Sequence, residues 1–224
     1  MNKPLRALLL SAGLGTRLRP ITLKTPKCMV EIAEQPLLER WLKQLEALGC
    51  EKALINTHHL AETVKNFTDS WSSNILSIET HHEISLLGTA GTLIKKKDFF
   101  RNSTGMMLHT DNVTTADLSK FLEAHKNKPK ECLITMLTFE TSQPSKCGIV
   151  ETNEKGIVKS FHEKISNPPC KIANGAIYLF DYPFLDWLEK HKNARDFSTE
   201  IIPLLMDKIY TWKTNSPFFD IGTP

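Results

Sequence analysis

The stretch Leu5-Arg6-Ala7-Leu8-Leu9-Leu10-Ser11-Ala12-Gly13-Leu14-Gly15-Thr16-Arg17 sets the reading of the chain. Residues 5–11, with the short apolar run Ala7-Leu8-Leu9-Leu10, predict a buried strand. The glycines that follow predict a loop at its carboxyl end, where open α/β sheets bind their ligands. Without a Cβ in the way, glycine lets backbone N–H groups converge on an anion such as phosphate. A plain strand-to-helix turn would use the same residues. The loop is not a P-loop, because G-x-x-x-x-G-K-[ST] is absent, and Leu18 stands where a dinucleotide fingerprint needs its third glycine. Residues 1–15 loosely imitate a signal peptide, with Lys3 and Arg6 ahead of the leucines. The apolar run is short and leads straight into the glycine loop, so a buried strand explains it better.

Outward from this strand the chain alternates. Leu37, Leu38, Trp41, Leu42, Leu45 and Leu48 have helical spacing, with Gly49 where a helix C-cap belongs, and predict a helix over 36–48 with one buried face. Strands at 52–56, 75–80, 106–109 and 133–139 and helices at 60–67, 92–100 and 118–125 continue the rhythm. Such alternation implies a mostly parallel sheet covered on both faces. After Phe139 the pattern changes to short strands at 149–150, 157–162 and 176–180, with helices at 182–190 and 198–206. No repeat or linker interrupts the 224 residues, which are read as one domain.

Composition narrows the function classes. A content of 41% hydrophobic and 24% charged residues is ordinary for a globular chain. The net charge of +3 is too mild for the concentrated basic patch of a nucleic-acid binder but allows a local site for a small polyanion. No run approaches the roughly 20 apolar residues of a membrane span, so no membrane partner is expected. Cys28, Cys50, Cys132, Cys147 and Cys170 form no C-x-x-C pair, which points to reduced thiols in a cytoplasmic protein. His58-His59, His81-His82 and His109 match no common zinc spacing. The Lys95-Lys96-Lys97 run reads as a solvated helix face.

The glycine loop continues through Thr25-Pro26-Lys27, so that residues 13–27 read G-L-G-T-R-L-R-P-I-T-L-K-T-P-K. This closely resembles the signature of the sugar-phosphate nucleotidyltransferases, G-x-G-T-R-x-x-P-x-T-x-x-x-P-K. The likeness runs nearly the whole length. Leu87-Gly88-Thr89-Ala90-Gly91 resembles that family's nucleobase loop, and Thr110-Asp111-Asn112-Val113 its metal aspartate. Pro144-Ser145-Lys146-Cys147-Gly148-Ile149-Val150 resembles P-S-K-x-G-V-V, and Phe161-His162-Glu163-Lys164 the sugar-binding F-x-E-K. Asn174-Gly175-Ala176-Ile177-Tyr178 resembles N-A-G-x-Y, and Phe219-Asp220-Ile221-Gly222-Thr223-Pro224 the closing W-x-D-I-G-x-P. Three departures stand out: His109-Thr110 before Asp111, Cys28 in place of a common proline, and the reversed Gly175-Ala176 pair. Among members, the combination looks like the catalytic domain of mannose-1-phosphate guanylyltransferases.

The resemblance implies a three-layer α/β fold, Rossmann-like or GT-A-like, with a mostly parallel mixed sheet. It implies a nucleotide-binding half over about 1–115 and a sugar-binding half over about 116–224. The reaction it implies moves a nucleotidyl group from a nucleoside triphosphate, GTP first, to a sugar 1-phosphate, mannose or a manno-heptose, and releases pyrophosphate. Two alternatives stay open: a uridylyltransferase for N-acetylmuramate or glucose 1-phosphate, and a silent regulatory subunit that binds nucleotide-sugar. Arg17, Lys27 and Asp111 are the expected catalytic residues. Ser11, Ala12, Gly13, Gly15, Thr16, Gly88 and Thr89 are the expected nucleotide contacts, and Gly148, Glu163, Lys164 and Asn174 the sugar contacts, with Glu200 a further candidate. Asp111 and Asp220 are the expected ligands of Mg²⁺, with Mn²⁺ as substitute, since such ions take carboxylates, phosphate oxygens and water. The residue types suit the chemistry. Two unit negative charges about 4 Å apart repel by roughly 4 kcal/mol at an effective dielectric of about 20. Arg17 and Lys27 can offset that repulsion. The expected assembly is a monomer or small homo-oligomer.

Overall fold

The structure, a computed structural model, describes residues 3–222. In chain order it contains β1 (Leu5–Leu10), the short pair β2 (Glu31–Ile32) and β3 (Gln35–Pro36), α1 (Leu37–Ala47), β4 (Cys50–Thr57), α2 (Ala61–Asp69), β5 (Ser77–His82), α3 (Thr89–Lys95), β6 (Thr104–His109) and β7 (Asn112–Thr114). Then come α4 (Leu118–Lys126), β8 (Ile134–Glu140), β9 (Gly148–Thr152), β10 (Val158–Glu163), β11 (Ile172–Phe180), α5 (Tyr182–Glu189), β12 (Ile209–Lys213) and β13 (Phe218–Asp220).

The strand period of two explains the layering. Ala7 and Leu9 of β1, Ala53 and Ile55 of β4, and Met106 and Leu108 of β6 pack into one core with Leu38, Trp41 and Leu42 of α1. Their neighbours Leu8, Leu54 and Met107 pack into a second core on the other face, with Leu93 of α3 and Phe184 and Leu188 of α5. A strand buried on both faces needs a continuous apolar run, which β1 has from Ala7 to Leu10. The helix predicted over 36–48 is α1, and Gly49 follows it with φ +75°, the left-handed conformation that ends helices.

A nine-stranded sheet runs β10-β9-β11-β6-β1-β4-β5, with β8 paired to β11 and to β12. The pairs β6–β1, β1–β4 and β4–β5 are parallel, and so is β12–β8. β11 is antiparallel to β6, β8 and β9, which makes the sheet mixed. One side of β11 lies against β8, and the other passes from β6 to β9. The changeover coincides with a bulge between Asn174 and Tyr178, where Ala176 has φ +51°.

Two expected helices come out differently. The segment expected as a helix over 198–206 is a single π turn (Phe197–Ile201) followed by a 3₁₀ turn (Ile202–Leu205). Pro203 has no N–H for an α-helical bond, which accounts for the break. α3 starts three residues before Thr92 and ends at Lys95, and Lys97–Phe100 forms a separate 3₁₀ turn. The strands β2, β3, β7, β12 and β13 go beyond the expected set.

Candidate active site

The carboxyl ends of β1, β4 and β6 open onto a cavity of about 270 Å³, walled by Ser11, Ala12 and Gly13 on one side and by Leu86, Gly88 and Thr89 on another. Lys27 and Asp111 stand at its edge. The floor is a polar network at the strand ends. Asn56 of β4 accepts the Ser11 N–H (2.7 Å) and donates to Glu83 (2.9 Å). Glu83 is buried and also accepts from the Thr92 hydroxyl (2.6 Å) and the Leu87 N–H (3.0 Å). A buried carboxylate with this many donors is satisfied rather than costly. The Ser11 hydroxyl turns to Thr110 (3.3 Å). Ser11 lines the cavity while its N–H is held by Asn56.

The two glycines of the first loop differ in purpose. A Cβ on Gly13 would meet nothing within 4 Å, so glycine there leaves open space beside the cavity. Gly15 has φ +61°, and a Cβ would come within 2.7 Å of Thr22, whose hydroxyl donates to the Gly15 carbonyl (2.7 Å). Gly15 shapes the turn that leads through the 3₁₀ turns Thr16–Leu18, Ile21–Leu23 and Lys27–Met29. The last of these lifts Lys27 over the strand ends, with Cys28 buried beneath it. Burial pushes the Cys28 thiol up to about 12, so this cysteine is inert as a nucleophile.

Lys27 forms an ion pair with Asp111, and both side chains are largely buried. Burial works against the Asp111 carboxylate, but His109 and Lys27 outweigh it and hold its pKa below the ordinary range. Asp220 arrives from the other end of the chain. β13 pairs with β7, placing Asp220 opposite Asn112, and the Ile221 N–H donates to the Asp111 carbonyl (2.9 Å). The Gly222 N–H donates to Asp220 Oδ1 (2.6 Å). A Cβ on Gly222 would lie 2.6 Å from Asp220 Oδ1, 3.1 Å from Arg17 Nη2 and 3.2 Å from Lys27 Nζ. Arg17, Lys27 and Asp220 thus gather around one bare backbone position, and Asp111 joins them through its ion pair with Lys27. Thr223 and Pro224 of the closing motif lie outside the described residues.

The Glu163 side is assembled separately. Glu163 of β10 lies opposite Gly148 of β9, where a Cβ would come within 2.6 Å of Phe161 and 2.8 Å of Glu163 Oε2. Glycine is needed there for the close approach. Lys164 has φ +51° and an ion pair with Glu163 (3.3 Å). Asn174 donates to the Tyr178 hydroxyl (2.7 Å) and accepts from the Ala176 N–H (2.9 Å), which pins the β11 bulge. The Asn112 side chain donates to the Gly175 carbonyl (2.8 Å) and so links the bulge to the residue after Asp111. Gly148, Glu163, Lys164 and Asn174 do not line the 270 Å³ cavity. Glu200 accepts from the N–H groups of Arg195 and Asp196.

Reasoning on the sequence missed Asn56 and Glu83. A polar Asn56-Thr57 at the carboxyl end of an apolar strand was the available signal for the first. Among the described residues no group of three or more His, Cys, Asp or Glu gathers as metal ligands. No helix there is long and apolar enough to cross a membrane.

Comparison with known proteins places this geometry. The family described as nucleotidyl transferase matches residues 6–224. Mannose-1-phosphate guanylyltransferase catalytic subunit beta of Drosophila pseudoobscura pseudoobscura is 31% identical over 98% of this chain and 59% of its own length. UTP–glucose-1-phosphate uridylyltransferase of Synechocystis is 29% identical over 97% of this chain and 60% of its own. The chain therefore spans about 60% of the length of these curated relatives. Among solved structures, HddC from Yersinia pseudotuberculosis complexed with GMP-PN superposes with a TM-score of 0.81 at 22% identity, over 98% of this chain and 94% of the other.

Proposed function

Because this chain belongs to the nucleotidyl transferase family, we propose that it joins a nucleoside triphosphate to a sugar 1-phosphate, giving a nucleotide-sugar and pyrophosphate. The observation that carries the reading is the cluster of Arg17, Lys27, Asp111 and Asp220 around Gly222, at the edge of a cavity walled by two glycine loops. The proposed division puts nucleotide binding in residues of about 1–115 and sugar binding in about 116–224.

The step is one in-line displacement. A phosphate oxygen of the sugar 1-phosphate forms a new bond to the α-phosphorus. The bond from that phosphorus to the bridging oxygen breaks, and pyrophosphate leaves with the electron pair. The attacking oxygen is already ionised near neutral pH, so no strong base is needed. The protein's work is positioning and charge compensation. Arg17 and Lys27 offset the repulsion between the two anions. Gly13 leaves room for the phosphates beside the backbone. Glu163, Lys164, Asn174 and Gly148 are the proposed sugar side.

Asp111, just before β7, and Asp220, on the strand paired with β7, are hard oxygen donors, and their chemistry fits Mg²⁺ or Mn²⁺. Such an ion, when bound, neutralises phosphate charge and polarises the phosphoryl oxygens.

GTP is the proposed nucleotide, with a mannose or manno-heptose 1-phosphate. Support comes from the Gly88-Thr89-Ala90-Gly91 and Pro144-Ser145-Lys146 segments and from the guanylyltransferase relative. The uridylyltransferase relative favours UTP with glucose 1-phosphate as the second reading. The proposed setting is the cytoplasm, in keeping with five free cysteines, and the proposed assembly is a monomer or small homo-oligomer. Four nucleoside triphosphates assayed against mannose, heptose, glucose and N-acetylmuramate 1-phosphates, by pyrophosphate release, test all of this. A UTP preference would overturn the guanylyl assignment, and no release with any pair would overturn nucleotidyl transfer.

A further inference from the structure

The loop 86–90 is shaped by a distant segment. Gly88 has φ +83°, and a side chain there would collide with the Arg195 carbonyl oxygen. That carbonyl accepts the Ala90 N–H (2.9 Å), and the Arg195 guanidinium donates through Nη2 to the Leu86 carbonyl (2.5 Å). The Phe197 N–H donates to the Thr89 hydroxyl (2.7 Å). Residues 194–200 are themselves held. Glu200 Oε1 accepts from the N–H groups of Arg195 (3.3 Å) and Asp196 (2.9 Å), and Asp196 accepts from the Thr199 N–H (2.8 Å). None of these strap residues lines the cavity, while Leu86, Gly88 and Thr89 do.

We propose that Arg195 is a positioning residue for the nucleobase end of the cavity, acting through the Leu86 carbonyl and the Ala90 N–H. The proposal rests on the nucleotidyl-transfer reading above. A free loop would sample several conformations, and binding would have to order it. A loop already clamped at both ends presents one width to the base. That advantage belongs to nucleotide binding before any bond changes, so it changes nucleotide affinity rather than turnover at saturation. It also sets base choice, because a pocket of fixed width discriminates where a yielding one does not. Glu200 acts one step further out, by holding the backbone of Arg195.

The test is GTP and UTP binding to the full chain with Mg²⁺, by calorimetry without sugar phosphate, alongside steady-state kinetics. Arg195 is exposed, so its truncation leaves the core intact. Arg195→Ala and Glu200→Ala are each expected to weaken GTP binding by about fivefold or more, the scale of about 1 kcal/mol. Discrimination between GTP and UTP narrows. In Arg195→Ala the kcat and the KM for sugar phosphate stay within about twofold, and Arg195→Lys recovers part of the affinity. An unchanged GTP Kd in Arg195→Ala overturns the proposal, as does a fall in kcat at constant Kd. Glu200→Ala raising only the sugar-phosphate KM would make Glu200 a sugar contact and overturn the strap. A wild-type chain that binds no nucleoside triphosphate overturns this inference and the transfer reading together. Wild-type binding without pyrophosphate release sinks the transfer reading alone, and the Kd comparison still decides the role of Arg195.

Discussion

At the carboxyl ends of β1, β4 and β6, each strand delivers its polar residue where a parallel strand stops: Ser11, Asn56 and, just past β6, Asp111. Around β11 the sheet is antiparallel, and the arrangement depends on a bulge, on Ala176 at φ +51° and on close contacts at Gly148 and Gly175. The first region is set by local chain direction, and the second by which side chains fail to fit. A parallel end therefore tolerates new loops more readily than the β11 bulge tolerates a methyl group.

The comparison can be broken most forcefully at the parallel end. Arg17→Ala or Lys27→Ala is expected to lower kcat at least about a hundredfold, the scale for one preorganised charge contact. Pyrophosphate release at near wild-type rate from a folded variant would move the chemistry elsewhere. Asp111→Asn and Asp220→Asn should each raise the Mg²⁺ concentration for half-maximal rate by at least about tenfold. Full activity of the wild type in excess chelator would contradict a metal role for either.

The bulge is probed by stability. A Cβ on Gly175 would come within 2.8 Å of Leu137 Cδ2 and 3.1 Å of both the Leu137 carbonyl oxygen and Phe218 Cε2. Gly175→Ala should cost about 1–3 kcal/mol by overpacking, seen as a lower urea midpoint at constant slope. Ala176→Gly relieves a left-handed alanine but loosens the unfolded chain, so its net effect stays within about 1 kcal/mol. If Gly175→Ala is neutral, packing does not dictate the reversed Gly-Ala order.

The smallest effect is expected beside Thr104, at the end of β6 away from the cavity. There Asp181 meets His125, Lys3 and Lys128. The His125 contact, with Lys3 and Lys128, holds the Asp181 carboxyl below the ordinary range against the cost of burial. Its contribution to stability is complete above the ordinary carboxylate pKa and is lost as pH falls below it. His125 is pushed down mainly by burial, so the unfolded chain takes up a proton first as pH falls through about 6.5. Both groups make acid destabilising. The urea midpoint should fall from pH 7 to pH 5, and His125→Gln should flatten that slope. An equal slope in both proteins would separate His125 from the acid response.

Legibility follows the same division. Leu8 and Leu9 are legible because a buried strand is written in its own apolar run, and Gly13, Lys27 and Asp111 stand out through the family motifs they resemble, whereas the ion pair that joins Lys27 to Asp111 is not written there. Only the second half of β11 was foreseen, since Gly175-Ala176 interrupts the apolar run that marks a strand. Ile209-Tyr210-Thr211-Trp212 has the β-branched and aromatic character of a strand, but no alternation with a following helix marks it as part of the sheet. Glu83 and Arg195 could not be read at all. Their meaning lies in hydrogen bonds to Asn56 and Leu86, and spacing along the chain carries no trace of those.

Every pairing across the β7–β13 ribbon spans more than the 103 positions between Thr114 and Pro217, which bond at its end. Each doubling of a loop adds only about 0.6 kcal/mol to its closure, so the finished ribbon is little burdened by that distance. Folding order is another matter, because contacts so remote in sequence form slowly. On the ribosome, β1, β4 and β6 are all synthesised long before Asp220 and Gly222. A nascent chain can build the cavity wall while the second carboxylate has yet to be made.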